Sequence, residues 1–303
     1  MKKIKQLIRL LFRFTLGPTI YEKIQFKRHT GYFLNLKNPA TFNEKLVARK
    51  LDLTFQHALI LQDKYESRKF VKKRVGEEFL TKLYDITDDI NKLNTSNYPV
   101  KFVIKATNSC GPDSIYIHNS DSFCDSAFLK NKADKILNRH KNLFNRFYYY
   151  TNEWWYGKIP TRLIVEEFLE EENRKVPLDY KFFVFHGRVE YIQIDIGRYV
   201  KHTRVIYSRD WDIVNVRMGY PTGKHINKPL NLDKMLLVAE KIAKGFNFLR
   251  VDLYNINDKI IKFGELTIAP SLGHSKVSPL SFDDHLGGLW NYNVKEPHED
   301  IEV

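Results

Sequence analysis

Apolar and polar positions along the chain fall into short blocks of changing period. From Pro99, VKFVIKATNSCGPDSIYIHN predicts an apolar strand ending at Lys105, a polar loop holding Gly111 and Pro112, and a second strand from Ser114 to His118. RLIVEEFLEEE reads as a strand with acids at its end, and DYKFFVFHGRVEYIQIDIGR as a hairpin turning at His186-Gly187. A 3.6-residue period appears elsewhere. Leu232, Met235, Ala239, Ile242 and Phe246 share one face of a helix in NLDKMLLVAEKIAKGF. LQDKYESRKFVKKRVGEEFL, from Leu61, predicts a helix with a basic solvated side, and residues 126–148 a Lys-rich one that runs into YYYTNEWWYG. In NPATFNEKL, Thr41 and Glu44 form a capping box. At the N-terminus Ile4, Leu7, Ile8 and Leu11 lie opposite Lys2, Gln6, Arg9 and Arg13, and Gly17-Pro18 stops that helix. Strands and helices mix without strict βαβ alternation, which predicts an α+β chain with largely antiparallel sheets.

One hairpin breaks the apolar rule. RVDLYNINDKIIKFGELT, residues 250–267, predicts two strands around a two-residue turn at Asn257-Asp258. That register pairs Ile256 with Lys259, Asp252 with Phe263 and Arg250 with Glu265. Arg250, Asp252, Glu265 and Thr267 then share one face. Val251, Leu253, Leu266 and Ile268 share the other, with Gly264 among them. The two acids become diagonal neighbours, ~7–8 Å apart at Cα. Either Arg250 and Glu265 form a cross-strand ion pair while Asp252 faces water, or the acids hold Mg²⁺, which takes one or two carboxylates plus phosphate oxygens and water. No His or Cys set has zinc spacing.

Composition narrows the partners. The 303 residues are 43% hydrophobic and 28% charged, as in a globular protein, and the formal net charge of +13 suits a polyanionic partner. The aromatics of YYYTNEWWYG are bunched rather than spaced along strands, which sets nucleic acid aside as a partner. Only Cys110 and Cys124 are present, too few for a disulfide framework, so a reducing cytoplasm is expected. Arg9 and Arg13 interrupt what would be a signal-peptide core. The N-terminal helix either lies peripherally on an anionic membrane or docks on the protein's own core.

The order of these parts resembles the ATP-grasp superfamily, specifically its TupA-like branch, named for teichuronopeptide biosynthesis. The matching segments are NPATFNEK (38–45), QDKYESRKFVKKRVGEEFL (62–80), KFVIKATNSCG (101–111), IVEEFL (164–169), DYKFFVFHGR (179–188), KPLNLDKMLLVAEKIAKGFNFLRVDLY (228–254) and FGELTIAPSLG (263–273). The resemblance implies an ATP-grasp fold, two mostly antiparallel α+β lobes clasping ATP, with a helical N-terminal region over 1–60. The expected divisions are 61–98 for the first part of the ATP-grasp unit, 99–163 for the lid with its phosphate loop, 164–292 for the catalytic lobe, and 293–303 for a polar tail.

The same resemblance implies roles by position. Lys105 and Lys64 would contact ATP phosphates, with Ser109 and Gly111 in the phosphate loop. Glu166 would bond the adenine amino group, beside Glu167 and the backbone of Phe168 and Leu169, and Asp179 the ribose. Lys181 and Arg198 would meet phosphate or acyl phosphate. Asp252 and Glu265 would bind Mg²⁺. Arg250 and the Gly273 amide would steady an oxyanion. The chain departs from the wider pattern at Glu265-Leu266-Thr267, where many ATP-grasp enzymes have E-x-N; Thr267 still offers an oxygen. Its phosphate loop, TNSCGPDS, is poor in Gly. The implied activity is an ADP-producing carboxylate–amine ligase that joins an amino acid or other amine to the carboxyl of a uronic-acid-containing glycan or precursor, in cell-surface polysaccharide biosynthesis. A glycosyltransferase or a sugar kinase of the same pathway is the alternative.

Overall fold

The computed structural model describes residues 2–111, 114–120, 122–141, 151–172, 177–197 and 201–292. Two antiparallel sheets organise them. The smaller has the order β1-β4-β2-β3, with β1 at Leu83–Thr87, β2 at Lys101–Ala106, β3 at Ile115–Asn119 and β4 at Leu163–Glu167. The alternation of β2 explains its two faces. Phe102, Ile104 and Ala106 pack under the helix Ser126–Lys141, against Leu129, Ala133 and Leu137. Val103 and Lys105 point the other way, into a cleft.

The larger sheet has the order β10-β9-β5-β6-β7, with β5 at Asp179–Phe185, β6 at Arg188–Ile196, β7 at Thr203–Ser208, β9 at Phe248–Ile256 and β10 at Ile260–Thr267; β8, Arg217–Met218, pairs elsewhere with β11, Val277–Ser278. Both faces are covered, which is why KFFVF reads as an unbroken apolar run. The helix Leu232–Ala243 packs Met235, Ala239 and Ile242 against Phe182, Val184 and Val251 on one side. On the other, Phe42 and Leu46 of α2 (Phe42–Leu51) meet Phe183, Phe185 and Phe248, closed by Leu286 and Trp290. The α+β layout with antiparallel sheets is the one expected. The capping box at α2 is present: Glu44 N–H donates to Thr41 Oγ1 at 3.1 Å and Thr41 N–H to Glu44 Oε2 at 3.1 Å.

The β9–β10 register differs from the expected one. Ile256 pairs with Ile260, not Lys259, so the turn holds one residue more. A second irregularity falls at Gly264, where a Cβ would sit 3.1 Å from the Asp252 carbonyl oxygen. Beyond it, Glu265 stands opposite Asp252 and Thr267 opposite Arg250. Each change slips the register by one residue, and one slip alone turns every side chain to the other face. Two slips restore the face, so Arg250, Asp252, Glu265 and Thr267 still lie together. Phe263, between the slips, pairs with Leu253 rather than Asp252 and joins the apolar side.

The N-terminal helix also departs from expectation. Gly17 breaks it, with φ 76° and ψ 161°, but Pro18 opens a second helical stretch to Thr30. Proline suits a first helical turn, where its missing N–H has no partner to lose. This second stretch buries Tyr21, Glu22 and Phe26, while Leu11, Phe12, Phe14, Ile20 and Ile24 stay exposed. The side chains of residues 2–10, and with them the predicted face of Ile4, Leu7 and Ile8, lie outside the described set. Among the described residues no helix is long and apolar enough to cross a membrane.

Glu22 anchors that second stretch. Its Oε1 meets Lys50 Nζ at 2.6 Å and His274 Nε2 at 2.5 Å, and its Oε2 accepts from Asn152 Nδ2 at 2.7 Å. Burial raises the Glu22 pKa, but Lys50 and His274 outweigh it and hold the carboxyl at about 2, below its ordinary 4.5. The folded-state pKa is depressed, so this contribution is full above pH 4.5 and lost as pH falls towards 2. Glu22→Gln leaves Lys50 uncompensated and should cost about 3–5 kcal/mol at neutral pH. In urea unfolding the gap between wild type and variant should narrow steadily below pH 4.5; a gap that stays constant down to about pH 3 would show that the pair is not the source.

Candidate active site

The two sheets face each other across a cleft of about 380 Å³. The smaller sheet supplies Val103 and Lys105 from β2, Ile115 and Ile117 from β3, and Glu166 and Glu167 from β4, followed by Phe168 and Leu169. The larger sheet supplies Asp179, Asp252, Tyr254, Phe263 and Glu265. One end is thus apolar with two acids, and the other is strongly charged.

Glu166 is 6% exposed and held from three sides. It pairs with Lys105, lies 3.3 Å from Arg68 Nη1 and accepts from Thr81 Oγ1 at 3.3 Å. Glu167 Oε2 accepts from the Lys82 N–H at 3.1 Å. Lys64 lies where α3 (His57–Leu61) gives way to α4 (Glu66–Val75), a corner fixed by Asp63, whose Oδ1 accepts from the Tyr65 N–H at 2.8 Å. The Lys64 ammonium donates to the Ser109 carbonyl, and burial lowers its pKa. The Ser109 hydroxyl turns away onto the Ala106 carbonyl at 2.9 Å.

The charged hairpin is rooted in the sheet. Asp252 is fully buried; Arg250 grips it with Nε to Oδ1 and Nη2 to Oδ2, both at 2.7 Å. Lys181 Nζ reaches Asp252 Oδ2 at 2.5 Å and also pairs with Asp179. Arg250 Nη2 extends to Glu265 Oε1 at 3.0 Å and Thr267 Oγ1 at 2.8 Å. The alternatives of ion pair and acid shelf therefore coexist, except that Asp252 does not face water. Burial raises the Asp252 pKa to about 6 against the pull of Arg250 and Lys181. Burial lowers that of Lys181, but Asp179 and Asp252 raise it further.

Asp179, Asp252 and Glu265 converge on Lys181 and Arg250, and the charge of Lys64 acts on Glu265 as well. Among the described residues no group of three or more His, Cys, Asp or Glu can hold a metal unaided. Asp252, Glu265 and Thr267 form an all-oxygen set on one face, which fits a hard cation whose shell is completed by phosphate oxygens and water.

A second cavity, about 500 Å³, opens beside the first. The two share Lys64, Gly264 and Glu265. Arg250, Thr267 and Gly111 line the second cavity, together with Glu153, Tyr156, Ser271 and Leu272. Gly273 does not line it. Its φ is +70° and a Cβ there would meet the Asn43 carbonyl oxygen at 2.7 Å, so this glycine permits close packing on α2. Arg198 lies outside the described residues. Nothing local in the sequence marks Arg68, Thr81 or Glu153: the first two meet Glu166 from 85 or more residues away, and the charges acting on Glu153 include Glu22 and Lys50, more than a hundred residues earlier.

Two antiparallel lobes, with lysines on one wall of the cleft and a carboxylate hairpin on the other, are the layout of the ATP-grasp class. The chain belongs to the TupA-like ATP-grasp family, whose profile matches residues 44–291. Solved structures similar to it are ligases of this class. The VanG D-Ala:D-Ser ligase from Enterococcus faecalis is 16% identical, with 78% of this chain and 62% of that one covered, at a TM-score of 0.47. The D-alanine–D-alanine ligase from Bacillus anthracis, complexed with ATP, is 14% identical over 70% of this chain and 54% of its own, at 0.41. The D-cycloserine synthetase DcsG is 12% identical over 76% and 69%, at 0.42. The chain spans less than two thirds of the length of several such enzymes. No curated protein matches it.

The Arg250–Asp252 grip predicts strong energetic coupling. Arg250→Met should lose about 3–5 kcal/mol, because it leaves a fully buried carboxylate with one cation fewer. Adding Asp252→Asn should restore part of that loss. A urea double-mutant cycle reads the coupling, expected at about 1–3 kcal/mol; simply additive losses would contradict it.

Proposed function

We propose that this protein is an ATP- and Mg²⁺-dependent carboxylate–amine ligase that forms an amide through an acyl phosphate. The observation that carries this reading is the opposition of Lys64 and Lys105 to Asp252 and Glu265 across one cleft that opens into a second cavity beside Arg250. Glu166, Glu167 and the backbone of Phe168 and Leu169 bind the adenine, and Asp179 the ribose. Lys64 and Lys105 hold the phosphates, and Lys181 keeps Asp179 and Asp252 in place beneath them. Asp252, Glu265 and Thr267 hold magnesium, which would supply charge neutralisation for phosphoryl transfer.

The acid substrate lies in the second cavity. Its carboxylate oxygen attacks the terminal phosphorus of ATP and ADP leaves. The amine then attacks the acyl carbon, and phosphate departs. Arg250 stabilises the negative oxygen of the tetrahedral intermediate. Confinement keeps water from the acyl phosphate.

The substrate class is a uronic acid within a cell-surface polysaccharide or its precursor, joined to an amino acid or another amine. The basic surface supports a polyanionic acceptor. The N-terminal helix supports a site of action at the inner face of the membrane. It combines exposed Leu11, Phe12 and Phe14 with Lys2, Lys3, Lys5, Arg9 and Arg13, and its single acid, Glu22, is buried.

Purified protein given ATP, Mg²⁺ and pairs of uronic acids and amines should release ADP only when both are present and yield an amide by mass spectrometry. ADP released with sugar alcohols and no amide would replace the ligase reading with a kinase. Stabilisation by nucleotide sugars instead of ATP would replace it with a glycosyltransferase. Asp252→Asn should abolish the rise in melting temperature that ATP and Mg²⁺ give the wild type; an unchanged rise would refute the metal assignment. A chain lacking residues 2–16 should keep that rise but stop sedimenting with phosphatidylglycerol vesicles. Undiminished vesicle binding would remove the membrane role.

A further inference from the structure

The second cavity contains a buried acid that the reaction as described does not use. Glu153 is 6% exposed, lines the cavity with Arg250, Glu265 and Thr267, and its Oε2 has no hydrogen-bond partner among the described residues. Leaving a buried polar atom unpaired is costly, so such an atom calls for a role. The other charged groups in the cavity divide by purpose. Arg250 and Lys64 suit a carboxylate, an oxyanion or phosphate, and Glu265 belongs to the metal shelf. Glu153 is the acid left to face a cation.

The groups around Glu153 come from several elements. They are Glu22 on the N-terminal helix, Lys50 on α2, Lys64 before α4, Cys110 after β2, and Thr151 and Tyr156 on its own segment. Burial pushes its pKa up to about 7; a Thr151 hydrogen bond, Lys50 and Lys64 pull against that, and Glu22 adds to it. A carboxyl titrating there is matched to moving a proton at neutral pH.

We propose that Glu153 receives the ammonium of the amine substrate in this cavity and takes the proton that frees the nitrogen lone pair. The assignment rests on the ligase reading above. The ammonium loses one proton to Glu153 Oε2. The lone pair attacks the acyl carbon, the bond from that carbon to the phosphate oxygen breaks, and its electron pair leaves on phosphate. The second nitrogen proton departs with phosphate, giving a neutral amide. Glu153 then returns its proton to solvent. The ligand class is a primary amine with an accessible ammonium, such as an amino acid.

Glu153→Gln keeps the shape of the side chain and removes its charge. With ATP and Mg²⁺ present, each of the twenty amino acids and ethanolamine is titrated singly into wild type and variant, with binding read by calorimetry and melting temperature. Both proteins should respond to nucleotide, and only the wild type should bind an amine. Its amine affinity should fall roughly tenfold from pH 8 to pH 6 as Glu153 takes up a proton, while any residual binding by the variant stays flat. Equal amine binding by the variant overturns the proposal, as does a nucleotide-responsive wild type that binds none of the amines. A wild type without any nucleotide response overturns the ligase reading itself. Should Glu153→Gln fail to fold, Glu153→Asp, which keeps the charge, should bind amine with the pH slope intact; a lost slope there also counts against the role.

Discussion

The ion cluster of Arg250, Asp252 and Lys181 is the constraint on which the larger sheet depends. Three charges inside a sheet covered on both faces carry a desolvation cost that only near-ideal pairing offsets. The pairing is close to ideal, with two parallel bonds from Arg250 and a third contact from Lys181. Because Lys181 stands on β5, Arg250 and Asp252 on β9, and Glu265 and Thr267 on β10, the cluster ties three adjacent strands into one register. It also divides labour between the two acids. Asp252 is immobilised at the root, whereas the Glu265 side chain is 49% exposed and reaches into the cleft.

The opposite wall works by a different balance. Lys105 is held on Glu166, and Lys64 on the carbonyl of Ser109. Both long side chains are therefore already confined by partners within the protein, so an anion bound there would cost them less rotamer entropy. Arg68 and Thr81 keep Glu166 in place if Lys105 shifts its allegiance.

What could be read from the letters follows from how local the controlling physics is. The Thr41–Glu44 capping box spans four residues and is present as its sequence implies. The strand ending at Lys105 and the hairpin at His186-Gly187 were legible because apolar runs and turn residues are local signals, whereas the cover on both faces of KFFVF comes from helices distant in sequence. The charged face of the β9–β10 hairpin was legible through parity, yet its register was not. The register depends on the turn taking in Lys259 and on Gly264 closing against the Asp252 backbone, which are contacts rather than compositions. Gly17-Pro18 was read as a stop, but the same pair ends one helix and opens another. Glu153 was invisible within an aromatic stretch, because the charges of Glu22 and Lys50 that act on it lie more than a hundred residues earlier.

The doubled slip in the β9–β10 hairpin has a consequence for how this segment can change over evolutionary time. Insertions and deletions are usually tolerated best at turns. Here both irregularities can absorb them: an added residue in the turn lengthens the loop and leaves the β9–β10 pairs in place, and loss of Gly264 closes the bulge with Glu265 still opposite Asp252. The face on which the acids stand is set by pairing with Arg250 and Asp252 rather than by the length of the hairpin, so its length can drift at these two points without moving an acid from opposite Asp252.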